Sequence, residues 1–304
     1  MLHKIDKYVR VVEFPGFHYS NCNCVLIEDE QRFLLDTGPN EEDLAMLINQ
    51  PPDIIVNSHG HIDHYVFNHC FPDSRILMHA GDHAIAQSTE AYLNEFNIST
   101  LAPDPAWCEI YAQAVRHYPT RIDGQIHDNQ WFDTGHVRFQ VLHTPGHSPG
   151  HCCFFFPEQG FIFSIDIDFS TFGPWYASVS CSLSELLASI DRLADIKPDY
   201  YISGHGAPFI RDEVQKRLLA YRDTIFQRQR RVVDVLYKGK NDIEDMAHDL
   251  PVYQRLLAPK EIFHIYEQSM IMVHMRYLEE LGYTYCEDGK WYLAKNLSRA
   301  KLDL

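Results

Sequence analysis

Four side chains able to bind a metal ion lie within the short segment from His59 to His64, which reads H-G-H-I-D-H. The segment follows a predicted buried strand, residues 53–56, and precedes a predicted helix. His59 and His61 are two positions apart on an extended loop and therefore point the same way. Asp63 and His64, at the start of the helix, are placed to reach a second centre nearby. The spacing predicts a loop that presents ligands to two adjacent metal ions, and a histidine-rich surface turn is the alternative.

Three further candidates, His147, Asp166 and His205, each follow a predicted strand. Side chains at strand ends along one edge of a sandwich converge in space, so residues far apart in sequence can build one concave site. Because the candidates recur in this way, a metal site explains the pattern better than a surface turn does.

Imidazole and carboxylate ligands suit Zn²⁺, Mn²⁺ and Fe²⁺ alike, so the residue types leave the identity of the metal open. Two adjacent cations would supply a bridging hydroxide as nucleophile and would polarise the scissile carbonyl or phosphoryl oxygen. The chain then needs no serine or cysteine nucleophile. Asp63 can act both as a ligand and as a hydrogen-bond acceptor, which makes it the candidate catalytic residue that orients the water and takes its proton.

The elements that must position these residues alternate between strands and helices. Strands are predicted at 8–14, 24–28, 32–36, 53–56, 75–79, 137–142, 152–156, 161–165 and 199–203, and helices at 41–49, 183–195 and 211–237. This alternation indicates an α/β layered sandwich. Residues 84–125 interrupt it with aromatic side chains and prolines, which indicates an insertion that is either a lid over the site or a helical insert packed outside the sandwich.

After about residue 240 the strand pattern stops. Helices are predicted at Asp242–His248, Gln254–Leu257 and Ile262–Leu281, and a hairpin over Tyr283–Leu293. We therefore divide the chain into a catalytic domain, residues 1–210, and a small, mostly helical C-terminal domain, residues 211–304, that is winged-helix-like.

Over about residues 8–210 the sequence resembles the metallo-β-lactamase superfamily, in the branch that includes glyoxalase II, lactonases and several ribonucleases. Five motifs carry the resemblance: Asp36-Thr37-Gly38, the His59–His64 segment, His147, Asp166 and His205. The resemblance implies an αββα sandwich. It also implies that one metal is bound by His59, His61 and His147, that the second is bound by Asp63, His64 and His205, and that Asp166 bridges the two. Asp36 is expected to support a ligand without touching the metal, and zinc is the first choice of metal, with iron or manganese as alternatives.

The chain departs from the family pattern at three places. Tyr65-Val66-Phe67-Asn68 follows His64, where many members have small residues, so the pocket floor is expected to be bulkier. Ile165 stands where a glycine is usual before Asp166, and Asp168 is a rival for the bridging position because it lies two residues on. His143 and His151 are expected to pack near the ligands rather than to bind metal.

Composition narrows the class of partner. The chain has 304 residues and 26 Lys and Arg against 42 Asp and Glu, a formal net charge of −16, which disfavours nucleic acid as a main partner. The N-terminus lacks the apolar stretch of a secretion signal, and no apolar run is long enough to span a membrane. The eight scattered cysteines are typical of reduced thiols, which indicates a cytoplasmic protein, and a homodimer is compatible with the sequence.

These observations predict a binuclear metal-dependent hydrolase of a small ester, thioester or lactone. Aromatic side chains near the expected rim either line its pocket or cap the core: Phe14, Phe17, Tyr19, Phe169, Phe172, Trp175 and Tyr176. The first alternative function is a metal-dependent ribonuclease or phosphodiesterase, for which the basic run Gln227–Arg231 is the signal. The second is an iron-dependent, persulfide-type dioxygenase, and the third a regulator without catalysis, which the intact ligand set disfavours.

Overall fold

The computed structural model describes residues 1–16, 19–102, 104 and 106–294, which contain two large β-sheets and a separate hairpin. The first sheet holds seven strands in chain order: β1 (Leu2–Lys4), β2 (Val9–Val12), β3 (Cys24–Ile27), β4 (Phe33–Leu35), β5 (Ile54–Val56), β6 (Arg75–His79) and β7 (Gly124–Ile126). The second sheet and the hairpin are formed by β8 (Trp131–Asp133), β9 (Arg138–His143), β10 (Cys152–Phe156), β11 (Phe161–Ile165), β12 (Tyr200–Ser203), β13 (Phe209–Ile210), β14 (Thr284–Glu287) and β15 (Lys290–Leu293). The spatial order of the second sheet is β13-β12-β11-β10-β9-β8.

Helices cover the outer faces of the sheets and form most of the C-terminal part. Those that the structure describes are α1 (Glu41–Asn49), α2 (Ile62–Tyr65), α3 (His83–Gln87), α4 (Thr89–Glu95), α5 (Ile98–Leu101), α6 (Ala106–Ala114), α7 (Leu183–Ile196), α8 (Val214–Tyr237), α9 (Ile243–Ala247) and α10 (Lys260–Glu280). None of these helices is both long enough and apolar enough to cross a membrane.

The alternation of side chains along the strands explains the layering. In β3, Val25 and Ile27 join the apolar cluster between the two sheets, whereas Leu26 joins the cluster beneath the helices. In β10, Phe154 and Phe156 likewise belong to the cluster between the sheets, while Cys153 belongs to the cluster beneath the helices. Successive strand residues point to opposite faces, so each sheet buries one face against the other sheet and the other face under helices. This arrangement is the expected αββα sandwich.

The catalytic-domain elements predicted from periodicity are present, including the opening antiparallel run β2-β3-β4. The helix predicted over Gln254–Leu257 is wrong, because these residues form a bend followed by irregular backbone. Gln254 has a positive φ of 60°, and prolines stand close on both sides, at 251 and 259. A segment so interrupted cannot complete a helical turn.

In its described residues, the segment 84–125 contains most or all of four short helices, α3 to α6, and its aromatic side chains Tyr92, Phe96 and Tyr111 are buried. In the C-terminal part, α10 contacts α7, α8 and α9, and one apolar cluster includes both sandwich residues and C-terminal helix residues. The division at residue 210 stays a prediction.

Candidate metal centre

All seven predicted ligands lie in segments that follow strands, at one edge of the sandwich. His59 follows β5, and α2 begins immediately after His61 and carries Asp63 and His64. The other three follow β9, β11 and β12: His147, Asp166 and His205. The structure therefore brings together residues that are up to 146 positions apart in the sequence, the separation of His59 and His205.

Their donor atoms form two groups, each with all atoms within 4.8 Å of one another: His59, His61, His147 and Asp166 in the first, and Asp63, His64 and His205 in the second. Asp166 faces both. Its Oδ2 lies 3.1 Å from His147 Nε2, whereas its Oδ1 lies 3.0 Å from His64 Nε2 and 3.4 Å from His205 Nε2. The two oxygens of one carboxylate thus point to different groups, the geometry that a bridging ligand requires.

Hydrogen bonds at the outward nitrogens orient three of the histidine rings. His64 Nδ1 lies 2.8 Å from Asp36 Oδ2, and His147 Nδ1 lies 2.9 Å from the carbonyl oxygen of Trp175. His59 Nδ1 lies 3.0 Å from Ser58 Oγ. In each ring the Nε2 atom is left facing the centre, and hydrogen bonds of this kind fix the tautomer of metal-binding histidines.

Several atoms at the centre are buried without a hydrogen-bond partner among the described residues: His59 Nε2, His61 Nε2 and Asp63 Oδ1. Buried polar atoms are normally paired, so a cluster of unpaired nitrogen and oxygen donors needs an explanation. His61 and His147 also oppose two ring nitrogens, Nδ1 and Nε2, at 2.9 Å. The donor set fits divalent cations, which would accept these lone pairs.

The electrostatics agree with that fit. Burial, followed by the neighbouring histidines, lowers the pKa of His59 and of His61 well below the ordinary value, so both rings are neutral and keep lone pairs. Burial alone would raise the pKa of Asp166, but the facing histidines, His64 first, hold it well below its usual range. Burial alone would lower the pKa of the other three rings, but the facing carboxylates, Asp166 first, raise the pKa of His64, His147 and His205. These rings are therefore paired as charged groups with ionised carboxylates, and cations bound here would displace their protons.

Asp168, the rival for the bridging position, belongs to neither donor group among the described residues. Its Oδ1 accepts a hydrogen bond of 3.0 Å from the backbone N–H of Ser170, which makes it part of the turn. Ile165, at the position where a glycine is usual, has a positive φ of 55° and follows a register shift between β11 and β12. A β-branched residue adopts this conformation only under strain, and the sharp turn directs the Asp166 side chain to the centre.

The two histidines expected to pack near the ligands have separate partners. His151 is buried, its Nδ1 lies 3.0 Å from the carbonyl oxygen of Thr144, and its Nε2 accepts a hydrogen bond of 3.4 Å from the backbone N–H of Asp166. Burial lowers the pKa of His151 to about 3, so the ring is neutral and can accept that bond. His143 stacks on His79 with its Nε2 2.8 Å from the carbonyl oxygen of Pro149.

Asp82 is a residue of the site that the sequence analysis missed. It is fully buried and accepts hydrogen bonds from Gly60 N at 2.8 Å, Ser148 Oγ at 2.6 Å and Gly150 N at 2.7 Å. It thereby joins the loop that carries His61 to the loop that carries His147. The available signal was its position just after β6, since the other acidic and histidine candidates also follow strands.

Among the described aromatic residues expected at the rim, Trp175 is the one whose ring contacts predicted ligands. Its ring centroid lies 5.8 Å from that of His61 and 5.8 Å from that of His147. Tyr176 and Phe169 pack in the core instead, and Phe172 lies against Tyr253. Tyr19 donates to or accepts from Tyr92 at 2.8 Å, Phe14 is half-buried, and Phe17 lies outside the described residues. Phe96, from the loop that follows α4, lies 5.0 Å from His61 and completes an aromatic wall with Trp175.

The chain is similar to known proteins in sequence and in structure. It is 24% identical over 244 residues to an atrochrysone carboxyl ACP thioesterase of Cryptosporiopsis sp. (strain 8999), which covers 79% of this chain and 66% of the thioesterase. The chain spans about half to two thirds of the length of the fungal thioesterases of that name that it matches. A metallo-beta-lactamase family protein from Thermus thermophilus superimposes with a TM-score of 0.74 at 19% identity, over 96% of this chain and 100% of that one. The protein TTHA1623 in a di-iron-bound form superimposes with a TM-score of 0.50 at 27% identity, over 68% of this chain and 98% of that one.

A family model, that of the metallo-beta-lactamase superfamily, matches residues 19–205. The match covers more than half of the chain and contains all seven predicted ligands and the strands that precede them. With the αββα sandwich and the two donor groups at its edge, it shows that the chain belongs to the metallo-beta-lactamase superfamily.

Proposed function

We propose that the protein is a binuclear metal-dependent hydrolase that acts on a small ester, thioester or lactone. One metal ion would be held by His59, His61 and His147, and the second by Asp63, His64 and His205, with Asp166 bridging them. The observation that carries the proposal is the division of the Asp166 carboxylate, whose two oxygens face different donor groups. A superfamily made up mostly of metal-dependent hydrolases supports the reaction class.

Two divalent ions at these positions would activate a water molecule for attack and polarise the carbonyl oxygen of the substrate. Asp63 is suited to handle the proton of that water. Its Oδ2 lies 3.3 Å from His205 Nε2, while its Oδ1 is buried without a hydrogen-bond partner among the described residues. The opposing charge of His64 contributes to a lowered pKa of Asp63 despite burial, so the carboxylate is ionised and ready to accept a hydrogen bond.

The surroundings of the centre favour a small organic substrate over a polynucleotide. Phe96 and Trp175 form an apolar wall beside His61. The basic run that would have supported a ribonuclease is split by the helix, because Arg228 is buried and Arg230 is exposed on a different side. Relatives named as thioesterases support a thioester within the proposed substrate class.

Zinc is the metal we propose first, on the nitrogen-rich donor set, and the di-iron form of TTHA1623 supports iron as the alternative. A dioxygenase that uses a single iron would leave the second donor group without a role. We also propose a cytoplasmic location, supported by eight cysteines that are all free thiols. A homodimer stays a prediction that the molar mass in solution tests.

The first test is the metal content of the protein purified without added metal or chelator, followed by assays with thioester, lactone and phosphodiester substrates. We expect about two zinc ions per chain and hydrolysis of a thioester or lactone. About one iron per chain together with oxygen uptake would instead establish the dioxygenase. No bound metal after reconstitution would refute the ligand assignment itself.

A further inference from the structure

A cavity of about 450 Å³ lies between α8 and the turn that precedes α10. Three of the side chains that line it are arginines: Arg228, Arg231 and Arg255. The chain as a whole carries a formal net charge of −16, so a cavity lined by three guanidinium groups differs in charge from the average of the chain. Such a concentration of positive charge indicates an anion-binding site.

These arginines have no carboxylate partner at ion-pair distance within the part of the chain that the structure describes. Arg228 donates to the carbonyl oxygens of Phe172 and Pro174, and Arg231 Nε donates to the carbonyl oxygen of Pro251 at 2.5 Å. Burial and then the proximity of Arg228 lower the pKa of Arg231, which reflects mutual repulsion of the two positive charges. An anion between them would relieve that repulsion.

One acidic side chain lies near these arginines and does not fill this role. Glu267 lies close enough to feel Arg228 and Arg231, but its two oxygens accept hydrogen bonds of 2.8 Å from the backbone N–H groups of Val252 and Tyr253. Its carboxylate thereby holds the turn that forms one wall of the cavity.

A neighbouring cavity of about 530 Å³ differs in its charge balance. It also contains arginines, but Asp223 lies in its wall, and Arg222 is paired with Asp191 at 2.9 Å. The comparison singles out the cavity with Arg228, Arg231 and Arg255.

The arginine cavity adjoins the candidate metal centre through aromatic side chains. Tyr253 in its wall packs on Phe172 at 4.8 Å and accepts a hydrogen bond of 3.2 Å from Trp175 Nε1. Trp175 in turn contacts the rings of His61 and His147. Tyr253 and Trp175 thus form a continuous row of contacts from the cavity wall to the ligands, and this row is our basis for placing the far end of an elongated substrate in the cavity.

We propose that the arginine cavity binds a phosphate-type dianion carried by the substrate of the hydrolase. This assignment of a substrate group rests on the proposed function, whereas the anion site itself does not. Guanidinium forks match the oxygens of phosphate in pairs, and three positive charges suit a group with two negative charges better than a single carboxylate.

The test is calorimetric titration of the full chain with 4′-phosphopantetheine, a thiol with a phosphate monoester at its far end, and with pantetheine, which lacks the phosphate. Inorganic phosphate is the third probe. The variants are Arg231→Gln and Arg255→Gln, of which the second removes an exposed side chain and leaves the fold intact. Arg217→Gln, at an exposed position on the same helix, is the matched control.

We expect 4′-phosphopantetheine to bind at least about tenfold more tightly than pantetheine. Each cavity variant should weaken the affinity for 4′-phosphopantetheine about tenfold, whereas the control variant should leave it unchanged. Equal binding of the two thiols overturns the proposal, because the phosphate then adds nothing to the affinity. Tighter binding of 4′-phosphopantetheine that Arg255→Gln leaves unchanged also overturns it and points to phosphate at the metals. Arginine-dependent binding of inorganic phosphate with no gain from the thiol arm overturns the assignment to a substrate. Arginine-dependent binding of 4′-phosphopantetheine by a protein that hydrolyses no ester supports the cavity while refuting the proposed function.

Discussion

Replacing Asp82 with asparagine is expected to weaken both the fold and metal binding. Oδ2 of Asp82 accepts from Gly60 N and Ser148 Oγ, and Oδ1 accepts from Gly150 N. Asparagine has one acceptor oxygen, so in either orientation one glycine N–H loses its acceptor and faces an amide N–H group. A hydrogen bond to a charged group contributes about 1.5–3 kcal/mol, and an unsatisfied buried donor costs about 1–3 kcal/mol. We therefore expect Asp82→Asn to lower the free energy of unfolding by about 3 kcal/mol.

Metal affinity should fall as well, because Gly60 lies between His59 and His61 and Ser148 follows His147. Groups that hold metal ligands in place are worth about 10–100-fold in affinity. Urea unfolding of the metal-free protein measures the first effect, and competition with a chromophoric chelator measures the second. Asp195→Asn, at an exposed position, is the matched control.

Two further variants test the same contact independently. Ser148→Ala removes one of the three donors and should cost about 1 kcal/mol, with a smaller cost when Asp82 is already asparagine. Gly150→Ala would place a Cβ 2.7 Å from Asp82 Cγ and 2.9 Å from Asp82 N, and overpacking of this kind costs about 1–3 kcal/mol. If Asp82→Asn unfolds within about 0.5 kcal/mol of the wild type and binds metal equally well, the reasoning is wrong.

Three more predictions concern single side chains. Asp166→Ala should lower the number of metal ions bound per chain and weaken metal affinity by more than about 100-fold, whereas Asp168→Ala should change both little. The reverse ranking in a metal titration would transfer the bridging role to Asp168. Burial raises the pKa of Asp29, but hydrogen bonds donated by residues 134–137 outweigh burial and lower it, so its stabilising effect is present above about pH 4 and is lost as the pH falls. Asp29→Asn should therefore be less stable at pH 7 and lose less stability between about pH 4 and pH 2 than the wild type, and parallel pH profiles in urea unfolding would contradict this. Arg228→Met leaves the carbonyl oxygens of Phe172 and Pro174 without their donor and should lower the free energy of unfolding by about 3 kcal/mol in the same assay. Stability equal to that of the wild type would refute the expected role, because it would show that an apolar side chain replaces the guanidinium at no cost.

The sequence by itself determined the fold class and the positions of the predicted ligands. Continuous apolar runs such as Val25-Leu26-Ile27 predict strands with two buried faces, and this pattern is local. The candidates His147, Asp166 and His205 each follow such a run, so their meeting at one edge followed from the layered topology. The structure confirms the layered α/β sandwich that this pattern predicts and the αββα form that the family resemblance implies.

Only the tertiary structure decided which polar groups hold that edge together. Asp82 is a site residue because three donors from two distant loops converge on it, and no spacing in the sequence records that convergence. The carbonyl oxygen of Trp175 orients His147, although any residue could supply a backbone carbonyl at that point. Arg228 belongs to the basic run Gln227–Arg231, yet the packing of α8 buries it. Hydrogen bonds and burial of this kind depend on contacts between remote segments, which exist only once the chain has folded.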